Sequence, residues 1–253
     1  MLTGPPRSPR RRGRVRHAMA RRTRSPKVDQ AGGEDAVVDA AWDYDGWFDE
    51  RWGSYAFAVE AGAIRQAAGP LRGVRVLGAG CGTGRFAASF EAGDGQVVAL
   101  DADRGMLAVT AGRLTGPCVV GDVAHLPLRS RSVDVAVAVT VLEFVSAPSE
   151  VVAELARVTR PGGRIVIGAL NPRSLWGLAH RRQLRSGVWC SARFLPRRRL
   201  VAFASPYGQV RLHGVLYAPT AFPGLRWIGS VLEAAGRLTP RLGAFQVLVI
   251  DRS

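Results

Sequence analysis

Between Val74 and Gly84 the chain reads Val-Arg-Val-Leu-Gly-Ala-Gly-Cys-Gly-Thr-Gly. Four glycines in seven residues, set directly after an aliphatic run, remove Cβ atoms from a turn and let a ligand lie against backbone N–H groups. A strand that leaves such a turn as a helix also presents a positive helix terminus, where an anion is favoured. Two acids follow downstream, Asp101 after Val97-Val-Ala-Leu and Asp122 after Gly121. Ligands of open α/β sheets gather at the carboxyl ends of the strands. A dinucleotide reading through GxGxxG competes with other ligands here. Only Gly82-Thr-Gly-Arg-Phe-Ala87 meets its relaxed form, starting five residues after the strand, late for that tight turn. No GxxxxGK occurs, which excludes a triphosphate P-loop. Cys81, Cys118 and Cys190 make no CxxC pair and no zinc-like spacing, so no metal is expected. No Ser-His-Asp set is apparent, and no catalytic residue is assigned.

The elements that must position these residues alternate. Val74–Leu77 reads as a buried strand, with a helix over about Thr83–Glu91 after the turn. Gln96–Leu100, Cys118–Val120, Val133–Val139 and Arg164–Ala169 read as further strands. A helix over Arg104–Arg113 separates two of them. Another opens at Ser146 and Pro148, with Val151, Val152, Leu155 and Val158 on one face, and stops at Arg160-Pro-Gly-Gly163. Such alternation means a parallel sheet covered by helices on both faces. Beyond Asn171 the pattern loosens into amphipathic pieces near 174–185 and 196–204. A strand over Gln209–Tyr217, a helix over Leu225–Leu238 and a last strand over Phe245–Ile250 complete it. Upstream, seven aromatics crowd into Trp42–Phe57 among Asp and Glu, as helical segments laid over something apolar.

Composition narrows the function classes. The 253 residues suit one α/β domain, and 47% apolar content predicts a globular body. No apolar run reaches the roughly 18 residues of a membrane span; a soluble, cytoplasmic protein is expected, with sparse cysteines fitting a reducing compartment. The net charge of +15 is mostly a tail. Residues 1–27 hold nine arginines and Lys27 with no acid, leaving 25 basic and 20 acidic groups elsewhere. That leader has no apolar core for a signal peptide and nothing to bury. It reads as a disordered extension, with initiation at Met19 as one version, or as an arm that neutralises phosphates. The bland reading is preferred, because single-strand binding normally adds stacking aromatics and residues 1–41 contain none.

The ordered set of motifs resembles the class I S-adenosylmethionine-dependent methyltransferases. VLGAGCGTGRFA is similar to their first motif, Val97–Asp101 with Met106-Leu107 to the second, and Gly121-Asp-Val with Leu126-Pro-Leu to the third. Val141-Leu-Glu-Phe-Val resembles the segment after strand four, and the Pro161-Gly-Gly turn the entry to strand five. The resemblance implies a Rossmann-like, doubly wound, mostly parallel seven-stranded sheet of order 3-2-1-4-5-7-6 with the last strand antiparallel. It implies S-adenosylmethionine held by Gly78, Ala79, Gly80, Cys81, Gly82, Gly84, Asp101, Ala102, Met106, Asp122, Val123, Thr140 and Tyr44. The acid at position 101 would accept from both ribose hydroxyls, and Asp122 with its successor would meet the adenine. The sulfonium already activates the methyl group, so alignment is the protein's main task. Two residues depart from the family pattern. Gly78 replaces an acid that helps hold the cofactor's amino group, a role Glu60 or an acid in 43–50 could fill; Phe144 replaces a common His.

The Asn171-Pro-Arg-Ser-Leu-Trp176 segment, the ending Gly243–Val249 and the lead-in Tyr44–Asp49 resemble the type 11, ubiquinone-biosynthesis-like branch. That implies a small, hydrophobic acceptor met by Tyr44–Tyr55, Phe144 and Asn171–Trp189, with Tyr217 and Trp227 as further candidates. The expected organisation is a disordered leader (1–40) and one domain (41–253), comprising a helical lid (41–70), a cofactor core (71–170) and an acceptor side (171–253). Tyr44, Trp47 and Phe48 stay divided between packing of the lid and cofactor contact. Cys81 is read as contributing its backbone, His125, His180 and His213 as structural, and Arg197–Arg199 as a solvated helix start. Alternatives are an RNA or protein methyltransferase using the leader, an NAD(P)-dependent oxidoreductase, or a non-catalytic cofactor-binding relative. Nucleic acid is the less favoured partner.

Overall fold

The structure is a computed structural model that describes residues 41–42, 44–179, 192–218, 225–236 and 238–253. The arginine-rich leader and residues 180–191, which include His180 and the 180–189 part of the expected acceptor wall, lie outside the described residues. Helix α1 (Arg51–Ala68) precedes β1 (Arg75–Ala79), α2 (Arg85–Glu91), β2 (Gln96–Asp101), α3 (Arg104–Ala111) and β3 (Cys118–Val120). Then come β4 (Val133–Val139), α4 (Pro148–Val158), β5 (Thr159–Leu170) and α5 (Leu175–Ala179). Helix α6 (Arg197–Ala204), β6 (Gly208–Val215), α7 (Leu225–Gly236) and β7 (Phe245–Arg252) end the chain.

The seven strands form one sheet of order β3-β2-β1-β4-β5-β7-β6, and β7 runs antiparallel to both its neighbours. This is the expected order and sense. Strand periodicity splits the core in two. Leu77, Ala136, Ala138, Ile165 and Ile167 face one layer with α4 and α6. Val76, Val97, Val135, Val137 and Val166 face the other with α1 and α2. The α4 stripe behaves as its spacing predicts: Val151, Val152, Leu155 and Val158 are all buried, and Pro148 sits in the first turn.

The structure moves several boundaries. Strand β5 starts at Thr159 instead of Arg164: Thr159 pairs with Val133 and Arg164 with Val135, so four residues bulge out between consecutive pairs. The Pro161-Gly-Gly turn is therefore that bulge inside the strand. Gly162 adopts φ +74° there, and a Cβ on Gly163 would lie 2.6 Å from the Asp134 carbonyl oxygen. Strands β1 and β2 run one or two residues further than read, and α2, α3 and α7 are shorter.

Candidate active site

Order reverses between β1 and β4, the neighbours from which the chain winds outward in opposite directions. A crevice outside the strands' carboxyl ends opens at such a switch point, and the glycine turn lies there. Gly80, Gly82 and Gly84 take φ of +63°, +56° and +80°, a region costly for residues bearing a Cβ. Space adds to the demand at two of them. A Cβ on Gly80 would fall 2.5 Å from Val141 Cγ2, and one on Gly84 2.8 Å from Thr110 Cγ2. The turn is thus pressed between the segment after β4 and α3. Gly78 is different: a Cβ there meets Ala87 Cβ at 3.6 Å and Cys81 Cβ at 3.7 Å, ordinary contacts.

Asp101 ends β2 and reaches back to the turn. Its Oδ2 accepts from the Gly82 N–H at 2.7 Å, and its Oδ1 from the Asp103 N–H at 3.0 Å. Each carboxylate oxygen keeps capacity for a further donor. Asp103 caps α3, its Oδ1 accepting from Gly105 and Met106, which fixes Ala102 and Met106 beside Asp101. The Thr110 hydroxyl donates to the Gly82 carbonyl at 2.7 Å. Asp122 is exposed, accepts from the Ala124 N–H, and is held below the usual carboxylate range by that bond and by His125; Val123 behind it is buried. Thr140, one residue past β4, carries φ +50°. A β-branched residue in that region is strained, and such strain collects at functional sites.

The N-terminal segment is fastened to this turn by ions. Asp45, 2% exposed, accepts from Arg85 Nε at 2.8 Å and Nη2 at 2.6 Å, from Arg113 Nη1 at 2.8 Å and Nη2 at 2.6 Å, and from the Thr83 hydroxyl. Burial would raise its pKa; the bonds from Arg85, Arg113 and Thr83 override that and hold the carboxyl well below its usual range. Arg113 Nη1 also donates to the Thr83 carbonyl at 2.6 Å. Arg85 stacks over Phe48, 5.1 Å from the ring centre. Nothing local in the sequence marks this clamp, whose partners are 40 and 68 positions from Asp45.

Clamping Asp45 places Tyr44. Its phenol is pushed up to about 12 by burial, then by the carboxyls of Glu60, Asp45 and Asp101, so it stands within electrostatic reach of all three. Glu60, on α1, is 8% exposed and pushed up to about 8 by burial and by Glu143. Glu143, after β4, is fully buried and pushed up to about 7 by burial, against the Leu170 N–H that donates to its Oε1 at 2.8 Å. The Cys81 thiol is raised to about 12 by burial and by Asp101, so it stays neutral and offers no nucleophile.

Other expected residues have structural partners of their own. Phe48 is buried, edge-on to Tyr44, Trp47 and Phe57, and so joins the packing. Asn171 is a brace: its Nδ2 donates to the carbonyls of Arg241 and Gly243. Tyr55 and Tyr217 converge on Glu233 of α7, whose carboxylate accepts from the Tyr55 hydroxyl and the Tyr217 N–H. His213 sits on the edge strand β6, its pKa lowered by burial and by Arg211 and Arg197. Arg197 donates to the Leu212 carbonyl. The side chain of Trp227 lies outside the described residues, as does Cys190. Among the described residues no group of three His, Cys, Asp or Glu could hold a metal.

Comparison with known proteins agrees with this geometry. The family described as "Methyltransferase domain" matches residues 77–167, the stretch from β1 through β5. Residues 77–167 thus carry the match to a methyltransferase domain, inside a sheet of the order expected from the sequence. A malonyl-[acyl-carrier protein] O-methyltransferase of Yersinia pestis is 33% identical over 165 residues, 65% of this chain and 61% of that protein. A demethylmenaquinone methyltransferase of Clavibacter sepedonicus is 38% identical over 109 residues, 42% of this chain and 44% of that one. The chain thus spans about half to three-fifths of the curated relatives it matches. In fold the methyltransferase domain is similar to a Thermotoga maritima protein described as a SAM-dependent methyltransferase, possible histamine N-methyltransferase. The TM-score is 0.68 at 20% identity, covering 87% of this chain and all of that one. No described helix is long and apolar enough to cross a membrane.

Proposed function

We propose that this protein transfers the methyl group of S-adenosylmethionine to a small, apolar acceptor. The observation that carries the reading is the junction of Asp101 with the glycine turn at the switch point: the carboxylate ties down Gly82 and still has an acceptor site on each oxygen. A ribose with two adjacent hydroxyls fits that donor-hungry strand tip. The turn through Gly78, Ala79, Gly80, Cys81, Gly82 and Gly84 offers bare backbone to the amino-acid portion. Ala102 and Met106 would flank the ribose, and Asp122 and Val123 would edge the adenine. Thr140 and Tyr44 would complete the set of residues that hold the cofactor. Bound there, the cofactor supplies an electrophilic methyl group. The chain's own part is to align the acceptor and exclude water, which explains a site without a nucleophile. The lid character of 41–70 is supported by the Asp45 clamp on Arg85 and Arg113. An apolar acceptor is supported by the relative whose name specifies demethylmenaquinone, and by Phe144, 43% exposed directly after Glu143.

Thermal unfolding with S-adenosylmethionine, S-adenosylhomocysteine and NAD tests the reading. At a hundred times Kd a ligand adds about 2.7 kcal/mol, a rise of about 5–10 °C for a domain of this size. The first two ligands are expected to give it. A rise with NAD alone would overturn the proposal.

A further inference from the structure

Glu60 and Glu143 are two buried carboxyls, and after burial the charge of Glu143 adds to the upward push on Glu60. Glu143 Oε1 is used by the Leu170 N–H, while Oε2 is buried with no hydrogen-bond partner. Among the described residues no arginine or histidine bonds to either carboxyl. Buried acids in that state are costly unless a proton or a cation is shared between them.

The elements that carry them say which cation. Helix α1 and the Gly78 side of β1 belong to the same layer, since Val76, Ala87, Ala56 and Ile64 all pack there. Ile64, one turn beyond Glu60, comes within 3.2 Å of the Cβ position of Gly168, whose carbonyl accepts from the Thr140 N–H. Glu143 follows Val141, the residue that presses on Gly80. Glu143 Oε1 meets the Leu170 N–H, and Leu170 packs in the layer of Ala56 and Ile64, which lie one turn to either side of Glu60 on α1. A line of contacts therefore runs from the glycine turn over Val141 to Glu143, and through Leu170 to α1 at Glu60. If Asp101 takes the ribose, the amino-acid end of the cofactor extends along that line. On the same face Gly78 leaves bare the position from which a carboxylate could have reached it.

We propose that Glu60 and Glu143 form an ammonium site that grips the α-amino group of the cofactor, acting from α1 and the β4 end in place of a carboxylate at position 78. The inference rests on the cofactor reading above. When the ammonium arrives a proton leaves the pair, whose carboxyls burial pushes towards the protonated form. The titratable groups facing Glu60 are Glu143 and Tyr44, and the phenol stays protonated throughout.

Calorimetry with S-adenosylhomocysteine and with 5′-methylthioadenosine, which keeps the adenosine and thioether but lacks the amino acid, separates the possibilities. Glu60→Gln and Glu143→Gln should each weaken S-adenosylhomocysteine on the order of tenfold, as loss of a charged hydrogen bond does, and leave methylthioadenosine within about twofold. The Gln at 143 keeps an oxygen for the Leu170 N–H, and melting curves confirm folding. Wild-type protein should release a proton on binding S-adenosylhomocysteine, read from the observed enthalpy in phosphate and Tris buffers, and none on binding methylthioadenosine. Gly78→Asp in the Glu60→Gln background should recover part of the lost affinity. Equal losses for both ligands would overturn the proposal. So would unchanged S-adenosylhomocysteine binding in the variants, which would leave the pair to an amine acceptor. If wild-type protein binds neither ligand, the cofactor reading falls first and this site with it.

Discussion

Replacing Asp45 by Ala removes the one carboxylate that two guanidinium groups and a hydroxyl share. Breaking a buried ion pair from one side costs about 3–5 kcal/mol, because the remaining charge is left uncompensated. Here the arginine side chains are 20% and 22% exposed, and Arg85 keeps Asp49 at 2.9 Å. Water and Asp49 recover part of the loss, so the expected cost is about 2–4 kcal/mol. For a domain of about 200 residues that is a fall in Tm of about 5–15 °C. The sign with pH follows from the lowered folded pKa. The clamp's contribution is fully present above the ordinary value of 3.8 and is lost as pH falls through the folded value. The wild-type advantage over Asp45→Ala should therefore hold at pH 7 and begin to shrink below pH 4. A double-mutant cycle with Arg113→Ala should show a coupling of about 1–3 kcal/mol. S-adenosylhomocysteine affinity should fall too, because Tyr44 adjoins Asp45. A Tm loss under about 2 °C, or a deficit that does not change with acidification, would refute the clamp.

Asp101→Ala removes a charged acceptor and frees the Gly82 N–H, so S-adenosylhomocysteine binding should weaken on the order of a hundredfold by calorimetry, about 3 kcal/mol; a change under threefold would move the ribose elsewhere. Thr140→Gly relieves a β-branched residue at φ +50° and should raise Tm by about 2–4 °C from about 1 kcal/mol of released strain, with turnover lost if the Thr hydroxyl orients substrate. Gly78→Asp in the otherwise wild-type chain meets only ordinary contacts at Cβ and should tighten S-adenosylhomocysteine or leave it unchanged; a large calorimetric loss would mean that the cofactor's amino group does not lie beside position 78.

The glycine turn was legible because its chemistry is local. Positive φ at Gly80, Gly82 and Gly84 needs residues without Cβ, and those residues announce themselves in the sequence. Strands such as Val133–Val139 were legible for the same reason: buried parallel strands write an apolar run, and Gly and Pro mark where it stops. Strand β5 was less so, because the bulge at Pro161-Gly-Gly looks locally like a chain stop. Only pairing with Val133 and Val135 shows the strand continuing through it. Asn171 carried a family pattern that suggested the acceptor side, yet its amide is spent on carbonyls some 70 positions away.

What the sequence by itself determined is the sheet, its order through family resemblance, and the acid at the tip of β2, because periodicity and turn chemistry are properties of neighbours along the chain. Only the tertiary structure decided which acids are paired, buried or orphaned. Asp45 is one of several acids in an aromatic stretch until Arg85 and Arg113 close on it. Glu60 and Glu143 lie 83 positions apart; Glu60 was one candidate for the acid missing at position 78, and nothing along the chain joined it to Glu143. Charge in a protein is set by what surrounds it, and folding supplies those surroundings from distant parts of the chain.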